Sequence, residues 1–367
     1  MNTKKIAVIG AGIFGSEIAL KLRRNGYEVK LFEKSISILS GATENSQNRL
    51  HLGLHYPRDL KTATQSTTGY KSFLDRFETC VDNDFENYYA LARDNSKIDF
   101  AHFRNFANKA KISVIEVGKE SLEEVGLDPE RIDGLWRCAE GVIDFELLRE
   151  QLLSEMTSIG VNLSLSNEVL EIDSNNRQLI VESKMDGTEA FDFVIRSTYG
   201  TDRLNLIRFQ SESKVYEFHH TLILKVETSL SRKGLTVIDG DFITLLPSGK
   251  SRKSLLYSPT GSVRDRHIGS EYPAHWDLIK SEEFDKSTGK ILEKFSDWLP
   301  KLSISQEIER LITVRSIEPN VQDTDRRTSS VTHISKNIID IWSGKIDHCV
   351  DIANQVAFEV EEYFYAT

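Results

Sequence analysis

Apolar residues fall into short unbroken runs separated by stripes at helical spacing. Residues 5–9, Lys-Ile-Ala-Val-Ile, are one such run, closed by glycine, and predict a short buried strand. Beyond it Gly15, Ile18, Ala19 and Leu22 share one helical face while Lys21, Arg23 and Arg24 face away, and Gly26 stands where a helix ends in a left-handed residue. Residues 28–32 predict a second strand. Strand, helix and strand within about thirty residues make a βαβ unit.

The periodicity then stops. Residues 35–59 are rich in Ser, Thr, Asn and Gln, and a loop of that length inside a compact domain is usually functional. Pattern resumes with a helix over 145–158, the pair Gly160-Val161, two strands ending near residue 173, and an apolar strand over 191–197. Near the far end come a strand over 337–342, a turn over 343–347 and a helical stripe over 347–363. Between these lie strands over 215–226, 242–246 and 254–258 and helices over 98–110 and 276–299. The order predicts an α/β protein in two parts. Segments 1–68, 139–200 and 311–367 form a dinucleotide-binding domain, and segments 69–138 and 201–310 are two insertions that build one α+β substrate domain.

The chemistry begins in the first turn. Gly10-Ala11-Gly12-Ile13-Phe14-Gly15 is a G-x-G-x-x-G placed between strand and helix. Gly10 permits the tight turn, Gly12 lets backbone approach a pyrophosphate at the helix amino terminus, and Gly15 lets the helix pack closely. Glu33, at the end of the second strand, is where a carboxylate accepts from ribose hydroxyls. A glycine-rich turn alone is common, but strand, glycines, helix face and acid all agree here. NAD and FAD share this device, so the turn names a dinucleotide and no more.

Composition narrows the surroundings. A formal charge of −10 over 367 residues argues against a nucleic-acid surface, which needs clustered Lys and Arg. Cys80, Cys138 and Cys349 are far apart in no metal-binding or disulfide spacing, which predicts no metal site and a reducing, cytoplasmic setting. Lys4, Lys5 and the apolar stretch to Leu20 mimic a secretion signal, but Glu17 interrupts it and no small-residue cleavage site follows. No run reaches the roughly eighteen apolar residues of a membrane span.

Within the polar loop, the segment Gly41-Ala42-Thr43-Glu44-Asn45-Ser46-Gln47-Asn48-Arg49-Leu50-His51-Leu52-Gly53-Leu54-His55-Tyr56 resembles the D-amino-acid oxidase family, which includes glycine oxidase and L-2-hydroxyglutarate dehydrogenase. Residues 50–56 match its apolar-His-x-Gly-x-x-Tyr pattern. The resemblance implies a Rossmann-like FAD-binding domain of the glutathione-reductase type, an antiparallel sheet covering the flavin, and FAD as cofactor. It assigns FAD contacts to Gly10, Gly12, Ile13, Phe14, Gly15, Glu33 and Lys34 in the first unit. Thr43, Asn45, Ser46, Leu50, His51 and Gly53 follow in the loop, with Gly53 leaving room for the flat ring. Val169, Thr198 and Gly200 come next, then Ser343, Gly344, Lys345 and Ile346 in the last turn, where a helix amino terminus would stabilise negative charge on reduced flavin. Ser197 and Tyr199 depart from the family's commonest residues.

The resemblance further implies an FAD-dependent oxidoreductase that moves a hydride from a C–N or C–O carbon of a small amino or hydroxy compound to flavin N5. Such chemistry needs alignment and charge more than a catalytic triad. His51 would lie near the flavin, although two loop histidines, His51 and His55, read in isolation as structural. An anionic substrate would call for an arginine holding its carboxylate: Arg315, or one of Arg326 and Arg327, which on a strand would point opposite ways. Any single arginine is more often a solvated surface residue. Tyr257 and Tyr56 are outside candidates for substrate hydrogen bonds. His51, His55 and Cys349 are the possible covalent anchors for flavin, with no attachment motif matched. A flavin-dependent sugar-nucleotide mutase and a non-catalytic FAD-binding protein are the competing readings.

Overall fold

The computed structural model describes residues 3–175, 178–200, 215–239, 243–321 and 326–366. The first strand, β1 (Lys5–Ile9), feeds helix α1 (Ile13–Arg24), and β2 (Glu28–Phe32) returns beside β1 in parallel. These are the centre of a six-stranded sheet in the order Ser330–Ser335, Ile338–Trp342, Phe193–Arg196, β1, β2, Asn162–Ser164. Every pairing is parallel except that of Ser330–Ser335 with Ile338–Trp342. Apolar residues on both faces of β1 explain this: Ile6 and Val8 pack with α1 and the Cys349–Ala366 helix, while Ala7 and Ile9 pack against a three-stranded antiparallel sheet over 169–191.

Helix boundaries follow local chemistry. The Phe145–Ile159 helix starts where the Asp144 carboxylate accepts from the amides of Glu146 and Leu147, and ends at left-handed Gly160. Helix α2 (Leu60–Phe77) is capped by Asp59, which accepts from the Lys61 amide. The run expected as one helix over 276–299 is broken. Ile279 and Lys280 are extended, so two 3-10 turns, Ala274–Leu278 and Ser281–Phe284, precede a helix at Asp285–Trp298. The last helix likewise starts later than expected, at Cys349, after a 3-10 turn at Ile346–His348.

A second, nine-stranded sheet has its own core, in which Leu222, Leu224, Leu245 and Leu256 meet Phe284, Ile291 and Phe295. It is antiparallel except where Lys233–Ile238 runs parallel to Glu86–Ala92, a correction to the purely antiparallel expectation. The strands expected at 215–226, 242–246 and 254–258 stand at Tyr216–Glu227, Thr244–Pro247 and Lys253–Tyr257, with residue 242 outside the described residues. The Glu309–Ile317 strand pairs along its length with Tyr216–Glu227, so it crosses the division expected after residue 310. Among the described residues, no helix is long and apolar enough to cross a membrane.

Candidate active site

One large cavity, about 660 Å³, opens at the carboxyl ends of the parallel strands, the place where open α/β sheets bind ligands. One end is lined by Gly10, Gly12, Ile13, Phe14, Glu33 and Lys34, and by Glu168 and Val169. The other is roofed by the nine-stranded sheet through Thr244, Tyr257 and residues 313–318.

Gly10 has φ +94°, and a Cβ there would sit 2.6 Å from the Ser197 carbonyl oxygen. A Cβ on Gly15 would sit 1.9 Å from the Gly10 carbonyl oxygen, so Gly15 shapes the turn without lining the cavity. Gly12 is the N-cap of α1, contributes no side-chain cap, and the first turn holds no acid. The helix therefore presents its positive end with no acid of its own first turn against it. Glu33 accepts from the Ala11 amide at 2.8 Å and the Ser35 amide at 2.9 Å, which fixes the strand end against the turn. Thr43 Oγ1 accepts from the Ile13 amide at 3.3 Å and ties the polar loop to the helix start.

The polar loop divides its residues between cavity and scaffold. Thr43, Ser46, Gln47, Arg49, His51, His55 and Tyr56 reach the cavity. Asn45 instead closes the loop, donating to the carbonyls of Ser40 and Gly41, and Leu50 is fully buried in the first core. Gly53 gives its space to protein: a Cβ there would meet the Ala63 Cα at 2.6 Å, so its smallness admits α2 rather than a ring. Gly200 lies against the Tyr216 ring and is likewise outside the lining.

Three buried donors over residues 47–51 lack hydrogen-bond partners among the described residues: Gln47 Nε2, Arg49 Nε and His51 Nε2. All three residues line the cavity, although the chain is not extended throughout, Asn48 being left-handed at φ +47°. An unsatisfied buried donor is costly, so three together fit a ligand rich in acceptors. His51 is neutral. Its Nδ1 accepts from the Gly53 amide at 3.0 Å, which leaves the proton on Nε2, and burial, assisted by Lys345, holds its pKa well below the usual imidazole value. His51 is thus placed as a hydrogen-bond donor and not as a base.

Arg49 was not among the expected site residues. It is held by Glu140 at 2.9 Å, by the Tyr89 hydroxyl at 2.6 Å and by Thr236 Oγ1 at 2.5 Å, and Glu140 also accepts from the Leu52 amide. The available signal was a charged residue, Asn48-Arg49-Leu50, embedded where the chain turns apolar. Its partners are too distant in sequence to be inferred.

At the roofed end, Arg315 projects from the Glu309–Ile317 strand with its guanidinium 5.0 Å from the Tyr257 ring centroid. Among the described residues it makes no hydrogen bond and no ion pair. Arg326 and Arg327 both line the cavity, because they lie in an irregular segment and not on the strand that would have sent them to opposite sides. Arg326 is 3.6 Å from Glu318, and Arg327 donates to the Arg326 carbonyl. Residues 323–325 of that stretch lie outside the described residues. Thr198, Tyr199, Trp342, Ser343, Gly344, Lys345, Ile346 and Asp347 complete the wall. Cys349 is fully buried in the first core behind this turn, away from the cavity. The positive end of the last helix is thereby set back behind the 3-10 turn, which itself meets the cavity.

The comparisons agree with this geometry. A family model described as FAD dependent oxidoreductase matches residues 5–335. The FAD-dependent monooxygenase FPY4 of Fusarium mangiferae is 25% identical over 358 residues, covering 95% of this chain and 88% of that protein. Glycine oxidase from Geobacillus kaustophilus superposes with a TM-score of 0.76 at 16% identity, covering 98% of this chain and 95% of that one. L-proline dehydrogenase from P. horikoshii gives a TM-score of 0.74 at 16% identity, with 98% and 94% covered.

Proposed function

Because the chain belongs to the FAD-dependent oxidoreductase family and takes FAD as its cofactor, we propose that it oxidises a C–N or C–O bond of a small amino or hydroxy compound bearing an anionic group. Bound FAD supplies the two-electron acceptor that takes the hydride at N5. The residues present suit that cofactor: the α1 amino terminus for its pyrophosphate, Glu33 for a ribose, and the orphan donors of Gln47, Arg49 and His51 for polar edges farther along. The six-stranded sheet with its helices would hold the FAD and the nine-stranded sheet the substrate. The sheet pairing favours a division near residue 318 over the one expected after residue 310. Three cysteines that are all free and buried suit a reducing, cytoplasmic compartment.

Arg315 carries the substrate assignment. A half-buried guanidinium on a cavity wall, beside Tyr257 and with no carboxylate partner among the described residues, is a site for an anion, which its fork of donors can hold bidentately. Anaerobic mixing with amino and hydroxy acids should bleach the flavin absorbance, and the matching amides should bleach it far more slowly. Equal bleaching by acid and amide would remove the anion from the reading. The name of the Fusarium relative favours a second reading, oxygen insertion. Incorporation of label from oxygen-18 gas into product would establish it over simple dehydrogenation.

A further inference from the structure

The turn that closes the cavity, residues 343–348, carries two charged side chains that the reading above leaves unused. Asp347 is 1% exposed, lines the cavity, and neither of its carboxylate oxygens has a hydrogen-bond partner among the described residues. His348 Nε2, on the same turn, is 3.5 Å away, and the Ser66 hydroxyl on α2 favours the ionised form of Asp347 without completing a hydrogen bond. His348 is itself occupied, with Ser329 Oγ at 2.8 Å and Ser66 Oγ at 3.3 Å, and burial keeps it neutral by lowering its pKa to about 3. Lys345 also lines the cavity. Its ammonium lies 4.6 Å from the Tyr56 ring centroid and makes no hydrogen bond or ion pair among the described residues.

A buried carboxylate without partners is expensive to keep charged, and the half-buried Lys345 amine bears a smaller part of that cost. Burial pulls Lys345 down from the ordinary lysine range to about 7, with Arg327, Arg315 and Arg49 pushing the same way and Asp347 opposing. Burial pushes Asp347 up, with Lys345 opposing and Glu140 assisting. The loop side of the cavity adds no competing base. His51 presents an N–H, and burial with Arg49 and Lys345 lowers His55 as well.

We propose that Lys345 and Asp347 are the proton-handling pair of this site: the Lys345 amine accepts the proton that the substrate's hydroxyl or amino group gives up, and the Asp347 carboxylate balances the ammonium so formed. The inference rests on the C–N or C–O oxidation proposed above. In that reaction the substrate's O–H or N–H bond breaks and its electron pair becomes the second bond of the C=O or C=N product. The hydride from the neighbouring carbon leaves with two electrons for the flavin, and the remaining proton goes to Lys345 Nζ and from there to solvent. Lys345 can accept only when unprotonated, so the step should speed up as pH rises through about 7.

The test uses the FAD-loaded protein labelled with carbon-13 at lysine Cε, with the Lys345 signal identified by its loss in Lys345→Met. We expect that signal to titrate near neutrality and its midpoint to fall in Asp347→Asn, since removing the carboxylate disfavours the ammonium. A midpoint in the ordinary lysine range overturns the proposal whatever the substrate. Flavin bleaching should rise with pH through the same midpoint. Lys345→Met should lose that rise and at least about a hundredfold in rate at alkaline pH, at the low end of general-base contributions, with added methylamine restoring part of it. Unchanged bleaching in Lys345→Met overturns the pair's role while leaving the oxidation intact. A wild-type protein that no amine or alcohol bleaches, with the titration still near neutrality, overturns the oxidation reading and with it the pair's role.

Discussion

At the α1 end of the cavity, Gly10, Gly12, Gly15 and Glu33 belong to one unbroken stretch of chain, and each acts through backbone it can reach locally. At the Arg315 end, the wall is assembled from Tyr56, Tyr257, Arg315, Arg327 and Lys345, which meet only because two sheets close over one space. The first end is specified by steric permission, the second by charges left without partners. A fault in the first should therefore abolish the cofactor, and a fault in the second should change what is turned over and spare the cofactor.

Gly15→Ala is the sharpest way to break the first end. Its Cβ would overlap the Gly10 carbonyl oxygen, and an overlap costing about 3 kcal/mol corresponds to about a hundredfold weaker FAD retention. Protein that purifies yellow with undiminished FAD affinity would refute the steric account. Arg315→Met tests the second end. FAD should stay bound, while the substrate concentration for half-maximal bleaching should rise about thirtyfold, the loss of about 2 kcal/mol from an unpaired anion. A parallel loss of FAD would show that the two ends are not separable. Asp59→Ala lies off the cavity and removes the cap of α2 together with the acceptor of the Thr62 hydroxyl, which itself accepts from the Arg327 amide. A loss of about 1 kcal/mol in urea unfolding is expected, with FAD affinity and bleaching unchanged. Impaired turnover there would mean that α2 positions the loop more directly than its contact with Gly53 suggests.

The same contrast explains what could be read in advance. The βαβ unit, the family and FAD were legible because their signals are contiguous: a strand, three spaced glycines, a helical stripe and an acid. Arg49 was missed because its partners Tyr89 and Glu140 are 40 and 91 residues away, and no local pattern marks a pairing of that range. Arg326 and Arg327 were expected to diverge as strand neighbours do, but their segment precedes the Ser330–Ser335 strand and both line the cavity, Arg326 at its exposed edge. Gly53 was expected to leave room for the flat ring, but the neighbour that takes the space is Ala63, on a helix whose docking angle the sequence does not state. The long helix expected over 276–299 failed because extended backbone at Ile279 and Lys280 is a tertiary choice that apolar spacing does not encode.

The aromatic wall gives the molecule a built-in optical gauge. Among the described residues, Trp342 is the only one of the chain's four tryptophans to line the cavity, stacked 5.1 Å from Tyr216 and 6.4 Å from Tyr199. Trp136 and Trp298 lie in other cores. Light absorbed by Trp342 can pass to a flavin in the cavity, so its emission should be dark when the site is filled and bright when it is emptied. Cofactor loading can then be followed from the protein's own fluorescence, without a reporter and without turnover.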